Sequence, residues 1–243
     1  MIDFLIGCVA GTFIGATGIG AGSILTPLLI LRGHDPPTAV TTGLFALIAA
    51  RSVGSLQHIA SGHWPAAHAP RVLIGGVAGA AFGFVLIRQL AARVTFFESA
   101  LRMTLGVVLL AIGLLGFFAS RWRGGGRRTG LITLAAAGTG AAVATTSAGS
   151  GTLLGALVFP ATHWRVHEFS AVSNVFGLVT GAIGIAAYSR FDSFDAGLLG
   201  YVTAGSIAGI VVGVLASRRI RPEPFVLSLR VLSIVLGLSL IAT

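Results

Sequence analysis

The sequence predicts an all-α polytopic membrane protein built from two homologous repeats of four helical segments each. The mean hydropathy is +0.95, and only 9% of the residues are charged, against about 25% in an ordinary soluble domain. Apolar runs of about 20 residues, the length that crosses a bilayer, recur along the whole chain. The glycine spacing of residues 75–83 returns at residues 205–213, 130 residues further on, which indicates a duplication.

The predicted division of the chain follows its one polar linker. The first repeat covers residues 1–120, a basic linker covers residues 121–130, and the second repeat covers residues 131–243. Proline-containing or glycine-containing turns separate the apolar segments within each repeat. These segments run over residues 2–31, 38–59, 71–87, 97–119, 131–159, 168–188, 197–216 and 225–242.

The first segment of each repeat is interrupted in its middle by glycines and hydroxyl residues. Glycine is the poorest helix former after proline, so each of these segments is predicted to be broken or re-entrant. Free backbone groups are tolerated in a bilayer only inside protein or beside a polar cavity, and paired breaks point to a transporter's binding site. Free N–H groups at a half-helix N-terminus favour anions; the alternative is close helix packing by small residues. The candidate substrate-binding residues in the breaks are Thr17, Gly18, Gly20, Gly22, Ser23, Thr146, Ser147, Gly149, Ser150 and Gly151.

Two topologies are compatible with the broken segments. If both segments cross the membrane fully, the loop arginines divide seven against six between its two sides, and the positive-inside rule decides nothing. If both segments return to their starting side, the division is nine against four. That bias favours re-entrant segments, with the linker in the cytoplasm and both termini outside. Each broken segment is also long enough for two half-helices in one crossing, so the choice stays open.

The composition argues against several classes of function. The net charge is +9, but all sixteen basic residues are Arg and most lie between apolar runs, as topology-setting residues do, so no nucleic-acid partner is expected. Cys8 is the only cysteine and no carboxylate lies plainly in mid-segment, so neither a metal nor a cofactor is expected. The stretch 148–151 falls one residue short of the intramembrane serine protease motif, and His-Glu-x-x-His is absent, so no catalytic residues are assigned.

Four further candidates come directly after the turns that follow the broken segments. Thr41 and Thr42 lie early in the second segment, and Ser173 and Asn174 lie early in the sixth. Such residues cap helix starts, and they could equally line a pocket with neutral hydrogen-bond donors. A small oxyanion is well served by neutral donors, because a fixed strong charge would slow its release.

Arg51 lies well inside the second segment, with Gln57 and His58 about two turns further on. An arginine at membrane depth costs about 2.5–3.5 kcal/mol on insertion scales, so it usually faces a cavity or a partner. The functional interpretation is an anion contact, and the alternatives are snorkelling or pairing with an acidic group such as Glu98. The equivalent position in the second half falls near Gly181, so any role is asymmetric. Proton coupling, which His titration near neutral pH would allow, is a hypothesis that rests on His34, His58 and His163.

The chain resembles the TauE/SafE group of membrane permeases, the sulfite exporters. The resemblance covers nearly the whole chain and rests on short motifs of both halves. In the first half they are Pro27-Leu28-Leu29 after the glycine-rich break, Ala39-Val40-Thr41-Thr42, Gln57-His58 and Gly62-His63-Trp64. In the second half they are Gly149-Ser150-Gly151 and Ser170-Ala171-Val172-Ser173-Asn174.

The resemblance implies transport of sulfur-containing anions such as sulfite, sulfonates or sulfoacetate, with export favoured over import. It also implies that the glycine breaks, Thr41, Thr42, Ser173 and Asn174 line the substrate site, whereas Arg51 departs from the small or hydroxyl residue expected there. The prediction is therefore a multi-pass secondary transporter of the prokaryotic inner membrane that works by alternating access between its repeats. A channel-like permease for another small solute and a non-transporting assembly subunit are the alternatives. Homo-oligomer formation stays open.

Overall fold

The computed structural model describes residues 1–17, 22–60, 68–93, 96–118, 129–162, 164–189, 191, 194–217 and 222–242 of the 243-residue chain. All regular structure within these ranges is helical, as the sequence predicts. A short 3₁₀ turn, Phe159–Ala161, follows the seventh α-helix. The α-helices are α1 (Ile2–Thr17), α2 (Gly22–Leu31), α3 (Pro36–Ala60), α4 (Ala69–Arg93), α5 (Phe97–Phe118), α6 (Thr129–Thr146), α7 (Thr152–Leu157), α8 (Val166–Tyr188), α9 (Ala196–Ser217) and α10 (Pro222–Ala242).

Four helices of the described part are long and apolar enough to cross a membrane. Their spans are Ala69–Ala92, Phe97–Phe117, Glu168–Tyr188 and Ala196–Gly213. Large apolar side chains cover the outer surface of the molecule; Phe82 on α4, for example, is 64% exposed. A surface of this kind suits lipid rather than water. Helices can present it to lipid because the backbone polar groups within a helix are bonded internally. The prediction of a polytopic membrane protein is confirmed.

Both broken segments are observed as two helices, α1 followed by α2 and α6 followed by α7. The second break lies wholly in the described part and has a clear backbone cause. Ser147 has φ +61° and Gly149 has φ +107°, and left-handed backbone of this kind cannot continue a right-handed helix. Helix α6 therefore ends at Thr146, and a new helix begins at Thr152.

The first broken segment is a re-entrant hairpin. Asp3 at the start of α1 forms an ion pair with Arg32 just after α2, with 3.1 Å between the Asp3 Oδ1 and Arg32 Nε atoms. The two ends of the segment therefore lie side by side, which a single full crossing would not allow. We call α1 and α2 the first hairpin.

The second broken segment also reverses direction. The last turn of α6 lies beside the last turn of α8, since Ala144 approaches Gly184 and the Tyr188 hydroxyl donates to the Thr145 carbonyl. The chain must then return to Val166, where α8 begins. We call α6 and α7 the second hairpin. Of the two topologies that the sequence allowed, the re-entrant one is observed, and full crossing is wrong.

Helices from the two halves of the chain pack directly on one another. Helix α1 lies against α9 and helix α4 lies against α6. A Cβ atom at Gly205 or Gly209 would overlap backbone of α1, and one at Gly75 or Gly79 would overlap backbone of α6. The glycine faces thus allow close helix contact, and they fasten each hairpin to the opposite half of the chain.

Candidate substrate site at the second helix break

Arg51 is buried in the middle of the molecule and joins α3 to the second half of the chain. Only 5% of the Arg51 surface is exposed. Its Nη1 atom donates to Asn174 Oδ1 on α8 at 2.6 Å, and its Nη2 atom donates to Ser150 Oγ in the second break at 3.3 Å. Ser150 and Asn174, which lie 99 and 123 positions after Arg51 in the sequence, thus bond to the same guanidinium group.

The partners of Arg51 are neutral. Among the described residues, ion pairs occur only at Asp3, which contacts Arg32 and His34. The alternative that Arg51 pairs with Glu98 is therefore wrong, and its burial also rules out snorkelling to the membrane surface. Moving a charge into an apolar interior is costly unless it is paired. Within the described part of the chain, only neutral dipoles compensate the Arg51 charge, which leaves it able to attract an anion.

Glycine makes room for the Arg51 side chain on α8. A Cβ atom added to Gly177 would lie 3.3 Å from Arg51 Cγ and 3.4 Å from Arg51 Nε. Contacts at that distance are tighter than ordinary packing, so a larger side chain would push the guanidinium group out of place. Gly177 therefore sets the position of Arg51 against α8, and it is a site residue that sequence analysis missed.

The second break is held in place by hydrogen bonds to its own helix and to α8. Thr146 Oγ1 donates to the Ala142 carbonyl at 2.6 Å and accepts from the Ala148 N–H at 3.3 Å. Ser173 Oγ donates to the Ser150 carbonyl at 3.2 Å. Thr146 and Ser173 thus act on the backbone of the break and fix the position of Ser150.

A second cluster joins the second break to the first hairpin. Ser147 Oγ lies 2.6 Å from Thr26 Oγ1 on α2, both side chains being buried. Cβ atoms at Gly22 and at Gly43 would collide with Ser147. Gly22 was predicted as a site residue, whereas Thr26 and Gly43 were missed. A threonine beside Pro27 or a glycine after Thr42 carries no signal of its own, because both are ordinary in membrane helices.

The remaining predicted residues divide into three groups. Ser23, Thr41 and Thr42 are buried, but Thr42 is nine residues before Arg51 on α3, about 14 Å along the helix. Gly149 shapes the break through its positive φ, and Gly151 directly precedes α7. Gly18, Gly20 and His163 lie outside the described residues, as do the side chains of Thr17, Gln57 and His58.

His34 does not belong to this site. Its Nε2 atom lies 3.3 Å from Asp3 Oδ1 at the mouth of the first hairpin. Within the described part of the chain, no group of three His, Cys, Asp or Glu side chains is arranged to hold a metal ion. The chemistry that the described side chains can offer a ligand is therefore one buried cation surrounded by hydroxyl and amide groups.

Comparison with known proteins identifies the family. The family model described as sulfite exporter TauE/SafE matches residues 3–240. The chain belongs to the TauE/SafE family. It is similar to the probable membrane transporter protein YjnA of Bacillus subtilis (strain 168), with 29% identity over 255 aligned residues that cover 98% of each protein. It also matches the probable membrane transporter protein YunE of that organism, with 30% identity over 113 residues, 46% of this chain and 38% of YunE. No solved structure matches the chain.

Membership of the TauE/SafE family settles the broad class of function. The chain is a multi-pass protein of the cell membrane and belongs to a transporter family rather than to an enzyme family. The resemblance stated from the sequence motifs is confirmed over nearly the whole chain.

Proposed function

We propose that this TauE/SafE protein exports small sulfur-containing anions, such as sulfite, sulfonates or sulfoacetate, and that Arg51 binds them. The observation that carries the proposal is the buried Arg51 guanidinium, whose described partners, Asn174 and Ser150, are both neutral. An anion adds the attraction between two opposite charges to the hydrogen bond with Arg51, which a neutral amide or hydroxyl group does not supply. An anion would therefore bind Arg51 in preference to these partners.

The position of Arg51 along α3 supports export. Arg51 is fifteen residues from the start of α3 and nine from its end, about 22 Å and 14 Å along the axis. It is therefore nearer the side on which α3 ends and α8 begins. Under the re-entrant topology that side carries nine of the thirteen loop arginines, which assigns it to the cytoplasm. An anion would reach Arg51 over the shorter distance from the cytoplasm.

The arrangement of helix pairs supports two inverted repeats. Helices α3 and α8 run antiparallel, since Arg51 meets Asn174 and Leu44 meets Gly184. Helices α5 and α10 also run antiparallel, because Gly106 meets Gly237 and Gly113 meets Arg230. Helix α1 of the first half corresponds to α6 of the second half, and α4 corresponds to α9. The contact between α1 and α9 therefore has its counterpart in the contact between α6 and α4. This relation suits alternating access about a site between the halves.

The direct test is sulfite flux into proteoliposomes that contain the purified full-length protein. We expect saturable sulfite uptake by the native protein and at least tenfold slower uptake by Arg51→Gln, because one hydrogen bond between charged groups contributes that much. The matched control is Arg230→Gln on α10, where the guanidinium lies 5.6 Å from the Phe117 ring centroid and away from the break. Sulfoacetate is tested in parallel as a competitor.

The other outcomes identify the alternatives. Flux that does not saturate and that is the same in Arg51→Gln as in the native protein would favour a channel-like permease for another small solute. A native protein that moves neither sulfite nor sulfoacetate and shows no thermal shift with either would overturn the proposal, leaving the non-transporting assembly subunit.

Proton coupling would complete the proposed cycle, and His34 is its described candidate. His34 lies at the side where α3 begins, which the positive-inside bias assigns to the exterior. There it shares Asp3 with Arg32. If sulfite flux were driven by a proton gradient in the native protein and equally in His34→Gln, His34 would have no part in the coupling.

A further inference from the structure

The hydrogen bonds of Arg51 connect the two halves of the chain. Arg51 belongs to α3, whereas Asn174 belongs to α8 and Ser150 to the second break. The amide oxygen of Asn174, 2.6 Å from Arg51 Nη1, occupies a position that an oxygen of a bound anion would take. An anion that takes the Nη1 N–H now bonded to Asn174 must therefore displace Asn174.

Three glycines of α8 face α3, on the same side as Asn174. Gly177 lies on the Arg51 side chain, Gly181 lies on Leu47 and Ile48, and Gly184 lies on Leu44. These glycines bring α3 and α8 into close contact, and they have no side chain that could bond to α3. The bond from Arg51 to Asn174 is then a polar link that fixes α3 relative to α8.

We propose that Asn174 is a positioning residue that substitutes for the transported anion at Arg51, so that anion binding releases α3 from α8. This inference rests on the proposed function, since it presumes that Arg51 binds the anion. A ligand shifts a conformational equilibrium only through its different affinities for the two states. The exchange of Asn174 for an anion supplies that difference, because the anion binds Arg51 more tightly once Asn174 has moved away.

Two substitutions at Asn174 should act in opposite directions. Asn174→Asp keeps the size of the side chain and places a carboxylate beside Arg51, where the attraction between opposite charges is added to the hydrogen bond. Without added anion, its thermal midpoint should equal or exceed that of the native protein, and its affinity for sulfite should fall at least tenfold. Asn174→Leu removes the competing oxygen. Its thermal midpoint should fall, and its affinity for sulfite should rise about tenfold.

The experiment measures thermal midpoints of the detergent-purified full chain over a titration of sulfite, and separately of sulfoacetate. Ligand bound only to the native state raises the apparent stability by mass action. The control is Thr180→Ala, a buried residue of the same helix whose hydroxyl donates to the Phe176 carbonyl of its own helix at 2.7 Å. It should bind both anions as the native protein does.

The outcomes separate this inference from the proposed function. If the native protein responds to sulfite and Asn174→Asp responds equally, Asn174 is no substitute for the anion, while the anion site at Arg51 stands. If Asn174→Asp does not fold, Asn174→Leu decides, and an unchanged or weaker affinity for sulfite overturns the inference. If no anion shifts the native protein and none is transported, the proposed function fails and the inference fails with it.

Discussion

The two hairpins are held in place by different means. The first hairpin is closed at its mouth by Asp3, whose carboxylate contacts Arg32 and His34. The second hairpin is held at its tip, where Tyr188 binds the Thr145 carbonyl. The Asp3 and Arg32 side chains are 16% and 32% exposed, whereas Tyr188 is 1% exposed. One hairpin is thus fixed by partly exposed charges, and the other by buried neutral hydrogen bonds.

This difference indicates which hairpin controls the site. A partly exposed ion pair contributes about 0–1 kcal/mol and is screened by salt, whereas leaving a buried polar group without its partner costs about 1–3 kcal/mol. The Arg51 site is also built on the second break, through Ser150. We therefore expect changes at the tip of the second hairpin to affect stability and binding more than changes at the mouth of the first.

The largest effect should come from Gly22→Ala, where the two hairpins meet. An added Cβ would overlap the backbone carbonyl of Ser147, and a backbone atom cannot move aside as a flexible side chain can. Overpacking of this kind costs about 1–3 kcal/mol or more. We expect a clearly lower thermal midpoint, measured in detergent, and a loss of sulfite flux.

The matched control for Gly22→Ala is Gly138→Ala on α6. A Cβ there meets nothing within 4 Å, and alanine is the better helix former by about 1 kcal/mol. Its thermal midpoint should be unchanged or higher. Equal midpoints for Gly22→Ala and the native protein would mean that the hairpins do not pack through Ser147.

Much of this fold could be predicted from local sequence, and the reason is chemical. Gly149 and Gly151 are poor helix formers at the second break, and prolines after residues 35 and 221 mark helix starts. Both signals act within a few residues, so helix positions follow from them. The direction of α2 does not follow from such local signals, because a 30-residue apolar run fits a single broken crossing as well as a hairpin. The ion pair from Asp3 to Arg32 decides it, and that contact joins residues distant in sequence.

The candidate site shows the same limit. Arg51, Ser150 and Asn174 could each be selected from the sequence, since each is a polar residue in a membrane segment or at a break. Their meeting could not be predicted, because it depends on how α3 packs against α8. Tyr188 carried no signal at all, as a tyrosine at the end of a membrane segment is expected at the lipid interface. In the structure it is buried instead and donates to Thr145.

A smaller effect is expected from Tyr188→Phe at the tip of the second hairpin. The substitution removes only the hydroxyl that donates to the Thr145 carbonyl at 2.6 Å and keeps the ring beside Phe191. Hydrogen bonds between membrane helices contribute about 1 kcal/mol, so the thermal midpoint should fall by a few degrees. Affinity for sulfite should weaken as well, because the break that carries Ser150 loses one of its two hydrogen bonds with α8.

Tyr201→Phe is the matched control, because Tyr201 on α9 is 58% exposed. It should leave both the thermal midpoint and the sulfite affinity unchanged. If Tyr188→Phe and Tyr201→Phe behaved alike, the buried hydrogen bond would contribute nothing to the second hairpin, and the contrast between the hairpins would be lost.

The smallest effect should come from Asp3→Asn at the mouth of the first hairpin. Removing the carboxylate ends the ion pair with Arg32 and the contact with His34, and at this partial exposure the loss should be about 1 kcal/mol or less. The loss should shrink further as salt is raised from 0.05 to 0.5 M, because salt screens such pairs. The Debye length falls about threefold over this range of salt. Glu98→Gln, an exposed residue at the start of α5, should change nothing. A larger or salt-independent loss for Asp3→Asn than for Tyr188→Phe would reverse the order of the two hairpins, and the mouth of the first would then be the stronger constraint.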